Sequence, residues 1–283
     1  MRKTSVLALA LLLLAGASVA RAEIGTIDNV PAATLLLPYF EVDLDNADGV
    51  TTLFSINNSS ATAILAHVTL WTDLSVPTLD FNVYLTGFDV QTFNLRDLFT
   101  TGTVPRTASA GQDPTDTISP HGLYSQDINF ASCNNQLPLP SLPPTLLDHI
   151  RAAHTGQASP IIFGGLCSGV DHGDNIARGY ITIDTVNSCS LEFPPSPGYF
   201  INTATFQNVL LGDYFYVNSA ENFAQGETMV HIEAQLDPIP GRLGAANYTF
   251  YRRYTSGEDA REGLDNIFFA RFINGGAFDG GTS

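Results

Sequence analysis

Three aspartates close together, Asp43, Asp45 and Asp48 followed by Gly49, have types and spacing that suit chemistry. Hard cations such as calcium want several carboxylate and carbonyl oxygens converging from a tight turn. The EF-hand spacing fails, because Ala47 stands at a ligand position and no glutamate closes the loop. The same residues also make an ordinary strand-joining turn, in which Asp and Asn bond their own backbone. A second cluster, Asp171-His172-Gly173-Asp174-Asn175, follows Cys167-Ser168-Gly169. It can hold a metal or set a base beside a nucleophile, or simply be a loop between strands.

The histidines form no obvious set. His149 and His154 lie five apart on a predicted helix and point to different faces, which argues against a shared metal. His67 and His231 fall at strand positions expected to face solvent. Gly-x-Ser-x-Gly, His-Glu-x-x-His, paired Cys-x-x-Cys, phosphate-loop and dinucleotide motifs are all missing. A glycosidase needs only two carboxylates at a set separation, and among 28 acidic residues no pair stands out. Aromatic residues are a better lead. Trp71, Tyr84, Tyr214 and Tyr216 form a group of strand aromatics, of which Trp71 and Tyr84 fall on outward phases of adjacent strands, where such rings stack on sugars or anchor partners. A covering helix or insertion would bury them instead.

The cysteines are Cys133, Cys167 and Cys189. In an oxidising compartment the arithmetic gives one disulfide and one leftover thiol. The expected pair is Cys133–Cys167, since both lie in irregular chain and would close the longest strand-free stretch. No two cysteines have zinc-ligand spacing.

The elements that must position these residues are strands. Leu79, Phe81, Val83 and Leu85 alternate with Asp80, Asn82, Tyr84 and Thr86; Ala66, Val68 and Leu70 alternate with His67, Thr69 and Trp71; Phe54 and Ile56 alternate with Ser55 and Asn57. Such period-two patterning marks antiparallel sheet with one apolar face. Pro38 within Thr34–Val42 predicts an edge strand or a bulge. Phe88–Leu95 reads as a further strand, bulged near Thr92. Later strands are predicted at Ile161–Phe163, Gly179–Val186, Asn208–Val217, Met229–Gln235, Tyr248–Tyr254 and Ile267–Phe272. The one predicted helix, Thr145–Thr155, has Pro143 and Pro144 at its start and Gly156 beyond its end. Turn clusters at sandwich-like intervals point to an all-β, antiparallel, immunoglobulin-like β-sandwich. It has one large loop and helix insertion at about residues 100–175. Two stacked smaller sandwiches also fit the pattern.

The chain opens with Arg2 and Lys3, an apolar run from Val6 to Val19 and the small-residue site Ala20-Arg21-Ala22. These are the parts of a secretory signal peptide over residues 1–22, cleaved before Glu23. That run is short for a membrane span. The remainder, 23–283, is read as a single exported domain, periplasmic or extracellular, with no membrane insertion. It keeps 9 basic against 28 acidic side chains, a formal charge of −19, and no lysine. Such a surface disfavours nucleic acid and anionic lipid, and attracts calcium or a cationic partner. The acidity also keeps an exported protein soluble.

The stretches from Gly49 to Asn58, His67 to Trp71, Asp80 to Leu95 and Gly212 to Asn218, and the tail from Arg271 to Thr282, resemble a group of exported bacterial β-rich proteins of unassigned activity. The resemblance implies an exported, β-rich, bacterial protein and no catalytic residues. In that group the tail runs on into a further strand; the stop at Ser283 after Gly280-Gly281 predicts a shortened C-terminus here. The leading expectation is a non-enzymatic surface, matrix or adhesion component with a glycan or protein partner and no required cofactor. The alternatives are a carbohydrate- or calcium-binding module, using Trp71 and Tyr84 or the Asp43–Asp48 turn, and a hydrolase of unrecognised type.

Overall fold

In a computed structural model, residues 30–105, 131–133, 137, 141–196, 198–232, 234–236 and 247–248 are described. The signal sequence at 1–22, most of the stretch 106–140, the rest of the strand predicted at Tyr248–Tyr254 and the strand at Ile267–Phe272 lie outside them.

The strands are β1 (Thr34–Asp43), β2 (Val50–Asn58), β3 (Ile64–Trp71), β4 (Pro77–Leu85), β5 (Val90–Asn94), β6 (Ile176–Val186), β7 (Leu210–Asn218), β8 (Phe223–Thr228), β9 (Val230–Ile232), β10 (Gln235–Leu236) and β11 (Asn247–Tyr248). They build a five-stranded sheet in the order β4-β3-β6-β1-β9, a four-stranded sheet in the order β5-β2-β7-β8, and the short β10-β11 pair. Every pairing is antiparallel. The two larger sheets share one apolar core, in keeping with an all-β sandwich.

Period-two alternation decides which side chains enter that core. Leu35 and Leu37 on β1, Val68 and Leu70 on β3, Phe81 and Val83 on β4 and Ile181 and Ile183 on β6 meet Phe54 and Ile56 on β2 and Phe93 on β5. The Phe54 and Phe93 rings stack with centroids 4.5 Å apart. Because β1 lies inside its sheet, Pro38 is accommodated by a bulge between Leu37 and Phe40. The chain also changes sheet at Met229. β8 pairs with β7, whereas β9, one residue later, pairs with β1.

The predicted helix is α2 (Pro144–His154), with Pro at its first position; Ile150 and Ala153 are buried and pack it down. The sequence reading of Phe88–Leu95 as strand needs correction. β5 ends at Asn94, whose side chain accepts from the Arg96 N–H and so starts α1 (Leu95–Thr101). Ile161–Phe163 is a 3₁₀ turn rather than a strand, with all three side chains exposed.

The disulfide is Cys133–Cys189, not Cys133–Cys167. Cys189 lies three residues past β6, which carries it over the outer face of the five-stranded sheet to within 5.0 Å of Cys133, Cα to Cα. Cys167 is held elsewhere, in a hairpin-like loop paired to Ala158, and is free and exposed. The bridge spans 56 residues of sequence. In the chain-entropy account, closing a loop of that length contributes about 4 kcal/mol. Cys189→Ser should therefore lower stability in urea unfolding by about 2–4 kcal/mol. Cys167→Ser, at an exposed position, should change it by less than about 0.5 kcal/mol.

Candidate functional site

Chemistry-bearing side chains gather on the outer face of the five-stranded sheet, away from the core. Strand register sets Thr34 (β1), Asp184 (β6), His67 (β3) and Asn82 (β4) side by side in one row. The next row holds Leu36, Thr182, Thr69 and Asp80. The segment after β6 folds back over the first row. Tyr199, in the π-helical turn Tyr199–Thr203, donates its hydroxyl to Asp184 Oδ2 at 2.9 Å, and its ring lies 5.5 Å from that of His67. Asp184 Oδ1 accepts from the Thr34 hydroxyl. Thr34, His67, Thr69 and Thr182 are wholly shut off from solvent.

Burial sets the protonation chemistry. It raises the Asp184 carboxyl from its ordinary 3.8 to about 6, against the two hydroxyls that favour the anion. It raises Asp80 to about 6 as well, and lowers His67 to about 4. The amide of Asn82 is oriented by donating to the Ser190 carbonyl at 2.9 Å, so its Oδ1 faces His67 Nδ1 at 3.0 Å. Nδ1 therefore carries the donated proton, and the lone pair of Nε2 faces Asp80 Oδ2 at 3.6 Å. Neither atom has a hydrogen-bond partner among the described residues, and neither has Thr69 Oγ1, whose residue pairs with Asp80 in the ladder. Two unpartnered acceptors facing each other are costly, and on acidification through about pH 6 the proton goes to Asp80 before His67, whose ring is lowered to about 4.

The residues expected from sequence to form a site are dispersed. Trp71 and Tyr84 do share the outward phase, but each is only 1 % exposed. Trp71 donates Nε1–H to Thr182 Oγ1 at 2.8 Å and stacks on Tyr180 with centroids 5.7 Å apart. Tyr84 packs in another cluster with Leu65 and the Cys133–Cys189 bridge. They line no open groove. Tyr214 belongs to the core, and half-buried Tyr216 donates to the Tyr39 carbonyl. The exposed aromatic of β7 is Phe215.

Asp43, Asp45 and Asp48 do not converge on a cation. Asp43 Oδ1 accepts from the backbone of Asp45 and Asn46, and Asp45 accepts from Asn175. The carbonyls of Asp43, Asn46, Gly49 and Val50 instead receive the Arg96 guanidinium at 2.8–3.0 Å. A side-chain cation thus occupies the carbonyl ring that a calcium loop would use. Among the described residues no group of three or more His, Cys, Asp or Glu is arranged to hold a metal.

The Asp171–Asn175 cluster is likewise committed to contacts within the protein. Asp174 forms a two-pronged pair with Arg178, which lowers its carboxyl to about 2. His172 lies 3.2 Å from Asp73. The histidines differ from their sequence reading. His67 faces outward but is buried, and His231 points between the sheets, accepting from the Gly212 N–H through Nε2. His154 is also buried, bonded to the Arg178 carbonyl and Thr78.

Sequence reasoning missed Arg96, Thr34, Asp184 and Tyr199. One signal pointed to Asp184: an acid within Ile181-Thr182-Ile183-Asp184-Thr185-Val186, a run otherwise of β-branched residues. No family model, curated protein or solved structure matches the chain.

Because the folded Asp184 carboxyl titrates above its unfolded value, its favourable contribution is full below 3.8 and is lost as pH rises through about 6. His67 and His154, lowered to about 4, act the other way: their contribution is present above 6.5 and is lost as pH falls through about 4. Comparing Asp184→Asn with the parent isolates the carboxyl. From about pH 4 to about pH 7 the variant should gain roughly 2–3 kcal/mol relative to the parent in urea unfolding. A pH-independent difference would contradict this.

Proposed function

We infer that the protein is an exported, non-enzymatic β-sandwich that serves as a surface, matrix or adhesion component. The observation that carries this reading is that the cluster of titratable side chains on the outer face of the five-stranded sheet is sealed from solvent. The row holding His67 and Asp184 is dry and closed, Asp80 Oδ2 in the next row is shut off from solvent, and Arg96, Arg151 and Arg178 are spent on the protein's own carbonyls and carboxylates. The Cys133–Cys189 disulfide is compatible with an oxidising compartment outside the cytoplasm. Among the described residues no helix is long and apolar enough to cross a membrane. The segment at residues 1–22 supplies the route of export, and the bacterial group described above supplies the setting. Two-layer antiparallel packing supports an immunoglobulin-like classification, although here the disulfide does not join the two layers. Fractionating cells into medium, periplasm, envelope and cytoplasm should find the protein outside the cytoplasm with residues 1–22 removed. A panel of hydrolase substrates should show no turnover. A cytoplasmic, uncleaved product would overturn the first part, and turnover the second.

One feature favours carbohydrate recognition as a second reading. A groove of about 430 Å³ on the four-stranded sheet is lined by Leu53, Ser55, Thr92, Asn94, Asp97 and half-exposed Phe215. An aromatic ring among amide, hydroxyl and carboxylate groups suits a sugar face and its hydroxyls. On a glycan array, signal from the parent that disappears in Phe215→Ala would support it. A blank array would remove it.

A further inference from the structure

The loop between α2 and β6 holds apolar side chains out in water. From Ile161 to Cys167 seven consecutive residues are exposed, with Ile161 at 92 %, Ile162 at 77 % and Leu166 at 73 %. Leu74 and Val170 extend the patch at its base. The loop is held firmly. The Ser159 N–H donates to the Leu166 carbonyl, and Ala158 pairs with Cys167. His149 stacks on Phe163 at 4.4 Å and bonds Ser159. Thr72 and Asp73 bond the backbone of Ser168 and Val170. Contiguous exposed apolar residues on a fixed scaffold mark an interaction surface, whereas single ones do not.

We propose that this finger is a self-association surface whose occupant is the finger of a second copy of the same chain, and that Cys167 locks the pair as an intermolecular disulfide. Two independent features select a second copy. The fifteen residues from Gly156 to Val170 carry no charge in a chain of net charge −16, so two copies can meet here with less repulsion than over acidic regions. Cys167 is free and exposed beside the apolar tip, while Cys133 and Cys189 are already joined, so a disulfide partner for it must come from another molecule. In a two-fold dimer the same patch faces itself, which brings Cys167 toward its own copy. The oxidant is a low-molecular-weight disulfide. One Cys167 thiolate attacks it and releases one thiol, and the second Cys167 displaces the other. Two protein thiols thereby become one disulfide as the oxidant is reduced to two thiols.

The lock draws on the exported reading for its oxidising surroundings, but the test does not, because it uses purified protein. In a buffer of oxidised and reduced glutathione, the parent should run at twice the monomer mass on a non-reducing gel. Dithiothreitol should collapse that band, and Cys167→Ser should lack it. In analytical ultracentrifugation Cys167→Ser should still associate reversibly. Ile161→Asp/Ile162→Asp should weaken that association by about tenfold or more. Both positions are exposed, so the circular dichroism and melting of that variant should match the parent. A parent that stays monomeric with Cys167 capped by glutathione overturns the proposal. So does a double variant that dimerises as well as the parent, or a monomer that binds zwitterionic phospholipid vesicles through the finger. A cytoplasmic location in cells would sink the exported reading and leave these measurements unchanged.

Discussion

The structure depends on β6 being covered on both faces. It is the middle strand of the five-stranded sheet. Ile181 and Ile183 face the sandwich core, while Thr182 and Asp184 face the other way and are buried too. A strand shut off on both sides cannot leave a carboxylate to water, so Asp184 must find donors within the protein. Thr34 supplies one from the neighbouring strand. Tyr199 supplies the other from the segment that folds back over the sheet. That segment is tied down at Cys189 by the bridge to Cys133. Disulfide, cover and polar row therefore form one unit, and burial within it raises the two carboxyls and keeps His67 neutral.

The strands were legible because alternation is a backbone property: in Leu79–Leu85 every second residue enters the core as the sequence implies. Alternation says which residues share a face and is silent on whether that face is wet. His67 and Trp71 have the predicted phase and yet are buried: Tyr199 of the segment after β6 lies over His67, and Trp71 packs with Leu36, Tyr180 and Ile232, neither of which the alternation of β3 announces. The same blindness explains the disulfide. Chain distance and loop character favoured Cys167, but β6 delivers Cys189 to the right place. A strand pattern running through Val90–Asn94 hid the start of α1, which is set by a single side-chain cap at Asn94. Contacts that join residues far apart in sequence, such as Arg96 with the 43–50 turn, leave no local trace.

The turn at Asp43–Val50 shows how a chain with no lysine beyond Lys3 uses its arginines. Its carbonyls point inward as they would around a metal ion, and the positive charge arrives on a planar fork from α1. Arg151 does related work at the far end of α1, donating to the carbonyls of Phe99 and Thr100, where the helix leaves acceptors unpaired. Arg178 clamps Asp174 and reaches Glu41 across the β1–β6 pair. All three described arginines thus act as internal fasteners. The described surface is left with carboxylates, amides, hydroxyls and apolar groups, and carries no basic patch.

That distribution gives the finger its meaning. Phe88 and Val90 are also exposed apolar residues, at 70 % and 57 %, but Asp89 separates them where β4 links to β5, and no run of consecutive apolar residues forms there. Isolated cases of this kind occur on any soluble protein. The finger differs because its apolar residues are consecutive and its backbone is pinned from α2, from the link after β3 and across its own base. A loop with no partner gains nothing from such rigidity, since polar residues would solvate it without ordering water around two isoleucines and a leucine. Fixing the apolar tip in advance lowers the entropy lost on association, so the contact can be small and still specific. Elsewhere the uncompensated acidity opposes close approach of another copy. The uncharged stretch from Gly156 to Val170 lowers that opposition at the finger, which also carries consecutive exposed apolar side chains and the spare thiol.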